Sequence, residues 1–155
     1  MNTAPQSSVS ERLDAIVDDF ADLDGREKLE LLLEFAARLA PLPPELAARR
    51  AVEDRRVHEC QTPVYLWPEW TDGGARLHAE VAPEAPTVKG FVAILADAVV
   101  GRPLDEVLLI RDDLLERMGL AEVLGILRTR GLRAIVGHVK RGLVAASTPS
   151  SGTIR

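Results

Sequence analysis

A period of two is confined to one short stretch of this chain, and that stretch limits the folds available to it. Val64-Tyr65-Leu66-Trp67 alternates as a strand does, and Leu77, Ala79 and Val81 alternate with Arg76, His78 and Glu80. Asp72-Gly73-Gly74 lies between the two runs and supplies residues able to take positive φ, so the pair reads as a hairpin. Pro68 marks an edge or a bulge.

Helical spacing flanks the hairpin on both sides. Ser8 and Glu11 have capping-box spacing, and Leu13, Ile16, Val17, Phe20 and Leu23 then share one face. Asp24 and Glu27 repeat the cap signal ahead of Leu29, Leu32, Leu33, Ala36 and Leu39, until Pro41, Pro43 and Pro44 stop the run. A short helix is expected over 45–51. Beyond the hairpin, Thr87 stands as N-cap to a buried helix carrying Val88, Phe91, Val92, Leu95 and Val99, closed by Gly101. In that helix Lys89-Gly90 reads as a glycine that lets another element approach. Short helices are expected after Pro103, over 112–118 and over 121–127. Leu132, Ile135, Val136, Val139 and Leu143 then define an amphipathic terminal helix with a basic outer face. The expectation is one α+β domain over 1–155, a small antiparallel sheet with helices packed on one face. Its ordered core spans about 10–144, with flexible tails at 1–9 and 145–155.

The 155 residues are 46% hydrophobic and only 4% aromatic, enough for one core built of Leu, Val, Ile and Ala. A formal net charge of −5 argues against a sequence-blind nucleic-acid binder. No segment approaches the roughly 20 apolar residues that cross a bilayer, and the opening residues lack a leader pattern, so a cytoplasmic protein is expected. Acids dominate between Glu11 and Glu34. From Leu120 onward Arg128, Arg130, Arg133, Lys140, Arg141 and Arg155 face Glu122 alone. That asymmetry fits either solvated helix faces or a bipolar surface that orients a protein partner. No P-loop or GxGxxG fingerprint is present.

Cys60 is the single cysteine, which removes an internal disulfide, a CxxC redox pair and a multi-thiolate metal site together. His58, His78 and His138 form no helical metal array, so no metal is expected. Cys60 sits among His58, Glu59, Gln61 and Thr62, ahead of Pro63, a setting more like a surface loop than a packed core. Were the approach extended, His58 and Cys60 would point to the same side, His58 favouring the thiolate and Glu59 opposing it. A solitary thiolate suffices for sulfur relay, in which it attacks the outer sulfur of a donor persulfide. A Cys-His hydrolase and a helical adaptor with an incidental thiol are the competing readings.

Glu59-Cys60-Gln61-Thr62-Pro63-Val64-Tyr65-Leu66, the Gly-bearing hairpin, Thr87-Val88-Lys89-Gly90-Phe91 and Arg128-Thr129-Arg130-Gly131-Leu132, in that order and spacing, resemble the SufE family. The Glu27-Lys28-Leu29 helix joins them, so the resemblance covers about 13–143. It implies a SufE/IscU-like fold and a sulfur acceptor without independent turnover. Such a protein docks on a SufS-type cysteine desulfurase, whose pyridoxal phosphate belongs to that partner, and this chain itself binds no cofactor. The sulfur then passes to an iron-sulfur scaffold of the SufBCD type. Cys60 falls on the persulfide cysteine and Arg128 on an arginine tied to partner-dependent activation, with an ordinary salt bridge as its simpler role. Gln61, His58 and Glu84 are carried as supporting residues, Glu84 at an acidic position ahead of the Lys-Gly helix. Many members have Gly where this chain has Glu59.

Overall fold

The computed structural model describes residues 7–147. The elements in order are α1 (Val9–Ala21), α2 (Gly25–Ala36), α3 (Pro44–Arg49), β1 (Val64–Thr71), β2 (Gly74–Val81), α4 (Pro86–Val99), α5 (Leu104–Val107), α6 (Leu114–Arg117), α7 (Leu120–Leu124) and α8 (Ile126–Ser147). Most of each expected tail, 1–6 and 148–155, lies outside the described residues. Within them, Ser8 caps α1 as its spacing predicts and Val9 is fully buried, while α8 continues to Ser147.

Both capping boxes form. The side chains of Ser8 and Asp24 accept the amides of Glu11 and Glu27, whose carboxylates accept the cap amides in return. Val9, Leu13, Val17 and Phe20 are the buried face of α1. On α2 the buried face is Lys28, Leu32, Phe35 and Ala36, turned away from the expected Leu33, because Phe35 stacks on Phe20 with ring centroids 6.4 Å apart.

α4 is the centre of the domain. It is buried nearly all round and packs on α2, β2, α1 and α8, as a helix without a polar stripe must. Gly90 permits the closest of these approaches, since a Cβ there would stand 2.1 Å from the Leu32 carbonyl oxygen. Thr87 is not its cap. Pro86 takes the first helical position, where its missing N–H is no loss, and moves the start upstream to leave Thr87 in the first turn. At the other end the Arg12 guanidinium donates to the carbonyls of Asp97, Ala98 and Val100, satisfying acceptors that the helix cannot. The expected helix over 112–118 shrinks to α6, and the next ends at Leu124, where Gly125 takes φ +86°.

β1 and β2 pair antiparallel from Val64 opposite Val81 to Thr71 opposite Gly74, without a bulge. Two strands alone are marginal in water, so helices must cover them. α8 lies on β1 and α4 on β2, and the inward residues Val64, Leu66, Leu77, Ala79 and Val81 join the core. Outside the strands proper, Val57 donates to Val64 and Leu66 to Arg55, giving β1 a short outer neighbour at 55–57. The same alternation turns the backbone nitrogen of Pro68 toward that outer edge, past the end of the neighbour, so no ladder bond is lost there. Trp70 donates its indole N–H to the Leu143 carbonyl at 3.0 Å and fixes α8 across the hairpin.

Candidate functional site

The segment 58–62 is the connection between this outer edge and β1, closed at its base by the bond from Val57 N–H to the Val64 carbonyl. Among the described residues its backbone holds one further bond, from Cys60 N–H to the Val57 carbonyl at 3.1 Å. The turn breaks the extended geometry on which a shared His58–Cys60 side depended. His58 is exposed and its Nε2 lies 2.8 Å from Asp54, four residues back along the chain. Its ring draws the Asp54 carboxyl below the usual range.

Cys60 is only 6% exposed and belongs to the main core cluster, a correction to the expected surface-loop setting. The reason is tertiary: α8 carries Gly131 opposite the thiol, and a Cβ at that position would stand 3.2 Å from Sγ and 3.4 Å from the Cys60 Cα. A helix can pass so close to the cysteine backbone only where it lacks a side chain.

The burial is one-sided. Cys60, Gln61 and Thr62 line one wall of a cleft of about 570 Å³, with Val88 of α4 and the run 124–128 on the others. The first residues of α8 thus face the thiol, and they form the positive end of a 22-residue helix. Arg128 adds a fixed cation to the same cleft. Its Nη1 donates to the Thr87 hydroxyl at 3.3 Å, joining α8 to the first turn of α4 across the cleft, and among the described residues no carboxylate forms a salt bridge with it. The salt bridge expected of Arg128 is therefore replaced by this neutral partner. Thr129, buried, donates its hydroxyl to the Gly125 carbonyl at 2.6 Å and secures the turn that starts α8. Ile126 and Leu127 are exposed beside the cleft, an apolar rim next to Arg128.

The structure thus gathers Cys60, Gln61 and Arg128, and leaves His58 and Glu84 outside the cleft. Glu84 is exposed in the turn ahead of α4. Glu59 points the other way, to α8, where its Oε1 accepts from His138 Nε2 at 3.0 Å. Its own backbone N–H, and then His138, hold its carboxyl below the usual range. With His78 beside Glu69, every histidine meets a carboxylate, and among the described residues none hydrogen-bonds Cys60. The Cys-His hydrolase reading lacks its base. No group of three metal-ligating side chains occurs among the described residues, nor does any helix there suit a membrane span. Sequence reasoning missed Thr87 as a partner of Arg128, Gly131 as the seat of the thiol and His138 as a partner of Glu59. The available signal was Gly131 itself, an unforced glycine inside an apolar helical stripe, with His138 two turns further along the same face.

Comparison with known proteins bears on the family and the fold. A family model described as SufE, Fe-S metabolism associated domain, matches residues 14–143. The chain is 41% identical over 142 residues to uncharacterized SufE-like proteins of two Mycobacterium tuberculosis strains, covering 91% of this chain and 96% of each relative. It is 30% identical over 133 residues to an uncharacterized SufE-like protein of Rhizobium etli, covering 83% and 86%. The solution structure of a hypothetical protein from Thermus thermophilus superposes with a TM-score of 0.75 at 34% identity, covering 89% of this chain and 97% of that one. A domain match over most of the length, relatives at this identity and a shared α+β fold place the chain in the SufE family, whose domain is associated with Fe-S metabolism.

Proposed function

We propose that this chain is a cytoplasmic sulfur acceptor that works with a pyridoxal-phosphate cysteine desulfurase and delivers to an iron-sulfur assembly scaffold. The observation that carries the reading is the position of its sole thiol, sheltered on one side by α8 and open on the other to a cleft bearing Arg128. Cys60 first loses its proton to solvent. The thiolate then attacks the sulfane sulfur of the donor persulfide, a new S–S bond forms at Sγ, and the donor S–S bond breaks. The donor cysteine leaves as a thiolate and is protonated from water, so no external oxidant or reductant is consumed. The terminal sulfur, with its proton or negative charge, now belongs to Cys60. Arg128 and the start of α8 are complementary to an anionic sulfur in the cleft. On this reading the chain works only with its partner and has no turnover of its own. The partner docks over the apolar rim at Ile126 and Leu127 and brings its persulfide to the cleft.

The test is to mix the protein with a cysteine desulfurase and cysteine and weigh the intact chain. The expected result is a cysteine-dependent gain of about one sulfur atom, lost on reduction and missing in Cys60→Ser. The burial of Cys60 favours a second reading, an adaptor whose thiol is incidental. It gives no mass gain and leaves Cys60→Ser fully active.

A further inference from the structure

The segment 58–62 touches α8 at two points. Cys60 rests at Gly131, and Glu59 reaches His138, seven residues and two helical turns further along the same face. Since an ionised carboxylate only accepts, His138 Nε2 must be the donor in this bond. Among the described residues it is the only polar side-chain tie from this segment to α8, because His58 turns back to Asp54. The backbone adds little, with one bond inside the turn. Arg141 lies near enough to Glu59 to favour its charge, and its guanidinium lies against Gly137 on the same helix. The cleft leaves the thiol 6% exposed, so its fuller presentation to a macromolecular donor requires the loop to lift from α8, a motion that breaks the Glu59–His138 bond.

We propose that Glu59 and His138 are a positioning pair, a latch that holds the Cys60 loop on α8 and sets how often the thiol is presented. The proposal rests on the reading of Cys60 as the sulfur-bearing group, but its test needs no desulfurase. Native-state alkylation of Cys60 by iodoacetamide measures the open fraction when opening is fast and reversible. An exposed pair of this kind corresponds to an opening equilibrium changed by about 2- to 5-fold. Glu59→Ala and His138→Ala should each speed alkylation by that factor, and the double variant should be no faster than the faster single one. The exchange Glu59→His with His138→Glu, which restores one donor and one acceptor, should return the rate toward that of the parent. The parent should alkylate faster at high salt, while Glu59→Ala should lose that dependence. Urea midpoints should stay together throughout, which a general loosening of the fold would not allow. Where a midpoint does fall, Glu59→Met, which keeps the length but offers no acceptor oxygen, carries the same expectation. Unchanged rates, additive effects or an exchange variant no slower than the singles would overturn the latch. A persulfide mass gain that fails in every variant, with the alkylation pattern intact, would instead sink the sulfur-acceptor reading and leave the latch standing.

Discussion

Ile94 and Cys60 are both buried, yet they are held in opposite ways. Ile94 lies on a helix surrounded by α1, α2, α8 and β2, so core surrounds it on every side. Cys60 is covered by one helix at one glycine and faces a cleft on the other side, in a turn with a single internal backbone bond. Low exposure therefore means fixity in α4 and shelter in the 58–62 turn. The first is a property of packing density, the second of a removable contact.

The difference can be broken open by substitution. Ile94→Ala leaves a cavity that no neighbour can fill, and should lower the unfolding free energy by about 2–5 kcal/mol, read from urea denaturation. A loss below about 1 kcal/mol would mean that α4 is as yielding as the turn. Cys60→Ala should cost about 1 kcal/mol in the same experiment while abolishing the sulfur mass gain, which separates the chemistry of the turn from its modest share in stability. Arg128→Ala, at an exposed side chain with one neutral hydrogen bond, should shift stability by less than about 0.5 kcal/mol. It should nonetheless reduce sulfur transfer from a desulfurase; equal transfer by the variant would remove Arg128 from the site.

Acid should weaken the fold outside these two regions, and the sign is set by the carboxylates. The Arg102 guanidinium, aided by the Val9 N–H, brings the Glu106 carboxyl down to about 2, and Arg49 with Arg55 does the same to Glu53. Between those values and the ordinary 4.5 the unfolded chain binds more protons than the folded one. Stability from these groups is thus complete above about pH 4.5 and drains away as the pH falls toward 2. Thermal midpoints should drop on acidification to about pH 3, and Glu106→Gln should flatten part of that fall. A midpoint insensitive to acid would contradict both ion pairs.

What was legible in the sequence was what neighbours in sequence decide. Ser8 with Glu11 and Asp24 with Glu27 are caps that close over three residues, and the hairpin register follows from alternation around Asp72-Gly73. Thr87 misled because a cap-competent residue followed a proline that fits the first turn better. The outer edge at 55–57 is made by backbone bonds to β1, which leave no mark on side-chain pattern. At the candidate site, Cys60 and Arg128, which line one cleft, were readable from motif residues. The burial of Cys60 and the Glu59–His138 bond join positions 71 and 79 apart in sequence, and only packing brings them together.

The bare backbone at Gly131 has a consequence for whatever becomes bonded to Cys60. An S–S bond is about 2 Å long, and α8 leaves no room for another atom on its side of Sγ. A second sulfur must therefore extend toward Gln61 and Arg128, away from the helix. Were sulfur carried at Cys60, the fold would set its bearing before any recipient arrived and leave a recipient's nucleophile one line of approach.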